Sequence, residues 1–335
     1  MAMRIGLGFP TGREGQTYSV GYVRPRDLAT VARRAEALGY YSLWGNDHLT
    51  TPPGMRDMLP GPANYYEPLV TFATLAGVTE RLRFMTSVIV LPQRDPLMVA
   101  KQAATLDVLT EGRLMLGVGI GGYRAEIEAV RPDVKEAHHG VLMDESLQAM
   151  RLLFDEERAS FRGRYVRFED VDLAPRPLQR PFPIYLSASG PAGLRRTARL
   201  ATHWVAAGSS PAAMLAARAR LDAALVEQGR RPDEVETHMQ TWLSFGRDRA
   251  EAEARLKRSQ HFRRTLHHQP GADEATAVEQ FRQGNLLGPP EGVVEQVRAF
   301  ERAGVSHLGV VMIGDSMDEL LADMELFAER VLPAF

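Results

Sequence analysis

The stretch Arg81–Gly122, RLRFMTSVIVLPQRDPLMVAKQAATLDVLTEGRLMLGVGIGG, decides the fold, because it reads as a complete strand, helix, strand unit. Arg83 to Leu91 is rich in Phe, Val and Ile and stops at Pro92, which predicts a strand buried on both faces. Pro96 then opens a helix predicted to run to Leu109, with Met98, Val99, Gln102, Ala103, Leu106 and Leu109 as the stripe facing a sheet. Leu114 to Val118 predicts the second strand, which runs into Gly117, Gly119, Gly121 and Gly122. Without Cβ atoms there, a backbone can approach a ligand closely, and Gly119 is a candidate cofactor contact on that ground.

Gly117, Gly119 and Gly122 also satisfy GxGxxG, the dinucleotide fingerprint. That fold wants the motif on its first βα turn, with an acidic residue ending a second strand about 20 residues on. Asp144 lies near that distance but inside a helical pattern, so a doubly wound dinucleotide fold is the weaker reading.

Outside this unit the same alternation recurs. Arg4–Phe9 predicts a first strand and Pro25 a helix ending before Gly39, and Tyr40–Trp44 a second strand that delivers Asn46-Asp47-His48 to its C-terminal end. Further strands are expected at Pro183–Ser189, His203–Ala207, Thr237–Phe245 and Ser306–Ile313, with helices at Leu142–Phe154, from about Asp248 to Arg264, and at Pro289–Ala303 and Met317–Val331. Glycine turns follow two of those strands, Ser189-Gly190-Pro191 and Gly208-Ser209-Ser210-Pro211, each at a helix start where free N–H groups suit an anion. The proline-rich segment from Thr50 to Glu67 reads as a lid, or equally as a structural loop, with Met55, Tyr65 and Tyr66 as apolar walls.

The chain has 335 residues, 44% of them hydrophobic, with a net charge of -2 and no cysteine. One (β/α)8 barrel spanning 1–335 or two domains would both fit that length. The charge offers no surface for nucleic acid, and the missing cysteines exclude disulfides and thiolate chemistry, in keeping with a cytoplasmic location. No signal peptide or membrane span is expected. No metal is expected either, since His267 and His268 are adjacent and lack the i, i+4 spacing of a helical pair.

TSVIVLP, DPLMVAKQAATLDVLTEGR and LGVGIGG together resemble the bacterial luciferase-like family of flavin- and deazaflavin-dependent oxidoreductases, most of all its F420-dependent branch. The resemblance extends over nearly the whole chain. It implies a (β/α)8 TIM barrel with insertions in the C-terminal-face loops, the largest after strand seven and placed to cap the substrate pocket. It implies a cis peptide between Ser87 and Val88, forming a bulge behind the cofactor ring. It assigns cofactor contact to Asp47, catalysis to His48, and the cofactor phosphate to Ser189, Gly190, Gly208 and Ser209. Histidine is the side chain that exchanges a proton near neutral pH, which suits that role.

Two departures matter. The sugar-phosphate branch carries a Glu immediately after its third glycine, where this chain has Gly122; Glu126 is out of register, which argues against a sugar-phosphate substrate. His203 replaces a family residue before Trp204 and is a further candidate to approach the cofactor. The expected function is hydride transfer between F420 and a small organic substrate. The alternatives are an FMN-dependent monooxygenase supplied with reduced FMN by a separate reductase, and a flavin-binding barrel without catalysis; a separate flavin or F420 reductase is a candidate partner. A homodimer is expected from the relatives.

Overall fold

A computed structural model describes residues 3–206, 210–268, 271 and 273–335. Eight parallel strands close a barrel: β1 (Arg4–Gly8), β2 (Ser42–Gly45), β3 (Arg83–Thr86), β4 (Leu114–Gly119), β5 (Ile184–Ala188), β6 (His203–Ala206), β7 (Glu236–Phe245) and β8 (Val305–Met312). Each pairs with the next, and β8 returns to β1 with Arg4 opposite His307. A helix follows every strand: α1 (Pro25–Ala37), α2 (Pro68–Ala76), α3 (Pro96–Leu109), α4 (His139–Asp155), α5 (Gly190–Leu200), α6 (Pro211–Glu227), α7 (Pro290–Arg302) and α8 (Met317–Arg330). The expected (β/α)8 TIM barrel is therefore the fold. Helix starts follow local chemistry: Glu67, Asp95, Ser210 and Ser316 each accept a backbone N–H of the first turn, and proline opens α1, α2, α3, α6 and α7.

The interior is closed by one large ring. Trp44 is fully buried between β1 and β8, and a Cβ on Gly6 or Gly309 would lie 2.4 or 2.6 Å from its indole. Strands with any other residue there could not close around it.

Three expectations need correction. The strand expected over Arg83–Leu91 is broken: β3 stops at Thr86, and pairing with β4 resumes only at Ile89–Val90. Helix α3 has the expected ends but a rotated face. Val99, Ala100, Ala103, Ala104, Leu106 and Asp107 are buried, whereas Met98 and Leu109 are 58% and 63% exposed. Asp107 sets that rotation, because its carboxylate accepts the backbone N–H groups of Leu178 and Gln179 at 2.7 and 3.1 Å. The long helix expected from Asp248 divides at Ser259 into Arg249–Arg258 and Gln260–His268. With Glu274–Gly284 and the strand Leu286–Gly288 these helices form the largest insertion, after β7. No helix among the described residues is long and apolar enough to cross a membrane.

The N-terminal mouth of the barrel is lined by neutral rings. His203 stacks on Tyr185 at 4.0 Å, and the Nδ1 atoms of His238 and His307 lie 2.9 Å apart. Burial pushes His203 down to about 3 and His238 to about 4, and holds His307 well below the ordinary histidine value. An unfolded chain takes up protons on these rings below about pH 6.5, while the folded one does not, so stability is lost as pH falls. For His238 alone the loss at pH 5 is about 2 kcal/mol. Urea unfolding should show a clearly lower midpoint at pH 5 than at pH 7; equal midpoints would mean that the rings charge in place.

Candidate functional site

The opposite, C-terminal mouth is built around the interruption of β3. Gly117 makes it possible: a Cβ there would sit 1.9 Å from the Thr86 carbonyl oxygen. Thr86 Oγ1 bonds both backbone groups of Gly117, donating to its carbonyl at 2.7 Å and accepting its N–H at 2.8 Å. The following Ser87–Val88 peptide is cis, as the resemblance implies. Val88 turns its methyls onto Gly119, where a Cβ would be 2.7 Å from one of them. Gly119 is thus a glycine first because of Val88, although it also lines the cavity that a ligand would enter.

Asp47 fastens this bulge. Its buried carboxylate accepts the Val90 N–H at 3.0 Å and the Arg94 guanidinium at 2.9 and 2.5 Å, and Arg94 also reaches Glu67 at 3.1 Å. The carboxylate is committed to these protein donors, and Asp47 forms part of the wall of the mouth.

His48 projects into the same mouth. Its Nδ1 lies 2.9 Å from Glu126 Oε2, and its Nε2 lies 2.8 Å from the side-chain nitrogen of Gln16. An amide N–H can only donate, so Nε2 accepts and Nδ1–H donates to Glu126. The other Glu126 oxygen accepts the Leu49 N–H at 3.0 Å, which fixes the carboxylate. Tyr65 and Tyr123 flank the imidazole with ring centres at 4.8 and 5.9 Å, and burial pushes the Tyr65 phenol up to about 12. Sequence reasoning set Glu126 aside because it stands four residues past Gly122, and a register count takes no account of how residues 123–133 fold. They contain a helix, Arg124–Val130, which swings Glu126 back over His48. The ground for setting sugar phosphates aside, a missing acid, is thereby removed.

Two cavities meet here. One of about 190 Å³ holds His48, Asp47, Gln16 and Glu126; another of about 510 Å³ runs from Gly119 to Ser187, Ser189 and Arg196. Val88, Gly121 and Gly122 line both. The far end of the larger cavity suits an anion. Ser189 caps α5 without a side-chain bond, Gly190 follows at φ +71° with nothing among the described residues within 4 Å of its missing Cβ, and Arg196 brings a guanidinium held by Asp144 at 2.6 Å. Gly208 and Ser209, the second expected anion turn, lie outside the described residues. His203 does not approach this site: it is the first residue of β6, and the cavity lies against the last residues of β5. The insertion after β7 does reach over the site, since Arg264 donates to the Tyr123 hydroxyl at 2.9 Å and Gln260 to the Gly15 carbonyl at 3.3 Å.

The family model described as luciferase-like monooxygenase matches residues 3–307, and the chain belongs to that family. It is 30% identical over 340 residues to an F420-dependent glucose-6-phosphate dehydrogenase of Nakamurella multipartita, covering 97% of this chain and 96% of the relative. A protein of the same name from Intrasporangium calvum is 28% identical, covering 92% and 94%. Among solved structures, an F420-dependent secondary alcohol dehydrogenase in complex with an F420-acetone adduct superposes with a TM-score of 0.80 at 21% identity, covering 100% of this chain and 99% of that one. The oxygenating constituent of 3,6-diketocamphane monooxygenase from Pseudomonas putida, in complex with FMN, superposes at 0.78 and 20% identity, covering 99% of each chain. At these identities the two superpositions speak for the fold alone.

Replacing Asp47 with Ala strands the largely buried Arg94 charge with Glu67 only. Loss of one partner of such a pair costs roughly 3–5 kcal/mol, and urea unfolding should register a loss of that size. A loss under about 1 kcal/mol would mean that the bulge holds without this brace.

Proposed function

We propose that this protein is an F420-dependent oxidoreductase that moves hydride between the deazaflavin and a small organic substrate, with His48 as the group that takes or returns the substrate proton. The observation that carries it is the His48–Glu126 pair at the junction of the two cavities, beside Val88. The residues present fit the cofactor: Val88 and Gly119 would back its ring, and Ser189, Gly190 and Arg196 would hold its phosphate end. When bound, F420 accepts or donates hydride at its deazaflavin carbon.

The chain supplies the proton chemistry. Glu126 keeps the proton on His48 Nδ1, so Nε2 presents its lone pair to the cavity, where a substrate hydroxyl can replace the Gln16 amide. As Nε2 takes that proton, the adjacent carboxylate stabilises the imidazolium. Tyr65 and Tyr123 shield the pair from water, and Arg264 ties the insertion across it. The F420-dependent names of the full-length relatives favour this cofactor over FMN. An alcohol or a sugar phosphate is the first substrate to test.

The same reading places the protein in the cytoplasm, as a homodimer that draws reduced cofactor from a separate enzyme. Val70 and Met98 support the dimer: each is the third residue of one of two neighbouring helices, α2 and α3, and they are 63% and 58% exposed. Light scattering of the purified protein decides that point, with a monomer mass contradicting it.

Titration of the protein with F420 and FMN, oxidised and reduced, should give tight binding of F420 and weak binding of FMN. Preference for reduced FMN would instead identify an oxygen-using monooxygenase. His48→Ala should lower kcat by about 10²–10⁴ while F420 affinity is kept. Glu126→Gln should lower it by a smaller factor, since the ring keeps its place but loses the charge that favours imidazolium. Unchanged turnover in His48→Ala would remove His48 from the reaction.

A further inference from the structure

We propose that the N-terminal mouth of the barrel, at the end opposite the redox site, binds a divalent transition metal such as Zn²⁺ between His203, Glu236 and His238. One donor atom from each of the three lies within 4.8 Å of the others. Two imidazoles and one carboxylate form a ligand set typical of zinc, which takes His nitrogens at about 2.0–2.1 Å and carboxylate oxygens at about 2.0–2.2 Å. The backbone assembles it without any sequence motif. His203 opens β6 and pairs in register with Glu236, which opens β7, and His238 follows two residues later on the same face.

Each imidazole is oriented by a second contact and leaves its other nitrogen free for a metal. The Thr202 hydroxyl donates to the Ile184 carbonyl at 3.0 Å, so at 2.8 Å from His203 Nδ1 it accepts that proton, and His203 Nε2 carries the lone pair. His238 Nδ1 is engaged by His307 Nδ1, which in turn meets Ser42 Oγ at 2.9 Å through Nε2. His238 Nε2, fully buried, has no hydrogen-bond partner among the described residues and lies 3.7 Å from Glu236 Oε2. A buried polar atom without a partner is costly, and a metal between it and the carboxylate would supply one.

Arg4 is the cation that stands there in the protein alone. Its guanidinium bonds Glu236 Oε2 from β1, on a side chain 28% exposed at the rim. A metal ion and this guanidinium compete for one carboxylate, and Arg4 can turn outward to solvent when the metal enters. Removing Arg4 should therefore strengthen metal binding, whereas an ordinary structural ion pair predicts no binding to strengthen.

The test is calorimetric titration of the chelator-treated full-length protein with ZnCl₂, with the thermal midpoint followed in parallel. The expected result is one ion per chain, a raised midpoint, affinity at least about tenfold weaker in His203→Gln/Glu236→Gln, and tighter binding in Arg4→Gln. Circular dichroism checks that the double variant folds; if it does not, His203→Gln alone, at a half-buried position, must show the weakening. Absence of stoichiometric binding by the unaltered protein would overturn the proposal. So would binding that survives unchanged in the variants, since the ion would then sit on other groups such as His267 and His268. Neither outcome bears on His48 or the cofactor.

Discussion

The contact between Gly117 and the Thr86 carbonyl is the constraint on which the site rests. A strand with a side chain at position 117 would run alongside an unbroken β3, because its Cβ would occupy the place of that oxygen. With glycine there, the backbone of β3 can leave the ladder, and Thr86 Oγ1 supplies the hydrogen bonds that the ladder loses. Val88 then reaches the wall shared by the two cavities, and Asp47 fixes the return of the chain at Val90. Glycine 117, bulge and ion pair are three views of one arrangement.

The two mouths of the barrel solve burial in opposite ways. At the C-terminal mouth, charges are buried in pairs: Asp47 with Arg94, and Glu126 against an N–H of His48 and the backbone of Leu49. Their desolvation is offset by hydrogen bonds aimed at both carboxylate oxygens. At the N-terminal mouth, the buried His238 and His307 and the half-buried His203 are neutral rings, held by stacking and by a chain of contacts through Ser42 to the Trp44 indole. The mouths differ in what their carboxylates meet: Glu126 at the first faces an N–H of His48, whereas Glu236 at the second is taken by the Arg4 guanidinium.

Much of this was legible in the sequence, and the reasons are local. Strand bounds came within a residue or two wherever proline, glycine or a cap marked them, and α3 ends where the pattern placed it. The bulge was readable only through resemblance, since Thr86-Ser87-Val88-Ile89 has the propensity of an ordinary strand. The face of α3 was misjudged because Met98 and Leu109 share the spacing of the buried residues, while the decisive residue, Asp107, is polar and bonds to a segment 71 residues away. His203 was assigned to the wrong mouth although its strand was expected to start there, because the site gathers at the C-terminal ends of the strands and His203 opens β6 at the other end.

Glu126 carries the sharper lesson. Read in register, a glutamate four residues past the glycine run is displaced from the place where the sugar-phosphate branch keeps its acid. The helix Arg124–Val130 begins just past the glycine run and carries Glu126 in its first turn, so the carboxylate arrives beside the histidine from a different backbone position. The position it would have held is Gly122, and nothing lies within 4 Å of the missing Cβ there. With the acid on the helix, no side chain stands at position 122 in the passage that Val88, Gly121 and Gly122 share between the two cavities. A register comparison tests for a residue at a position; the chemistry requires only a carboxylate at a distance.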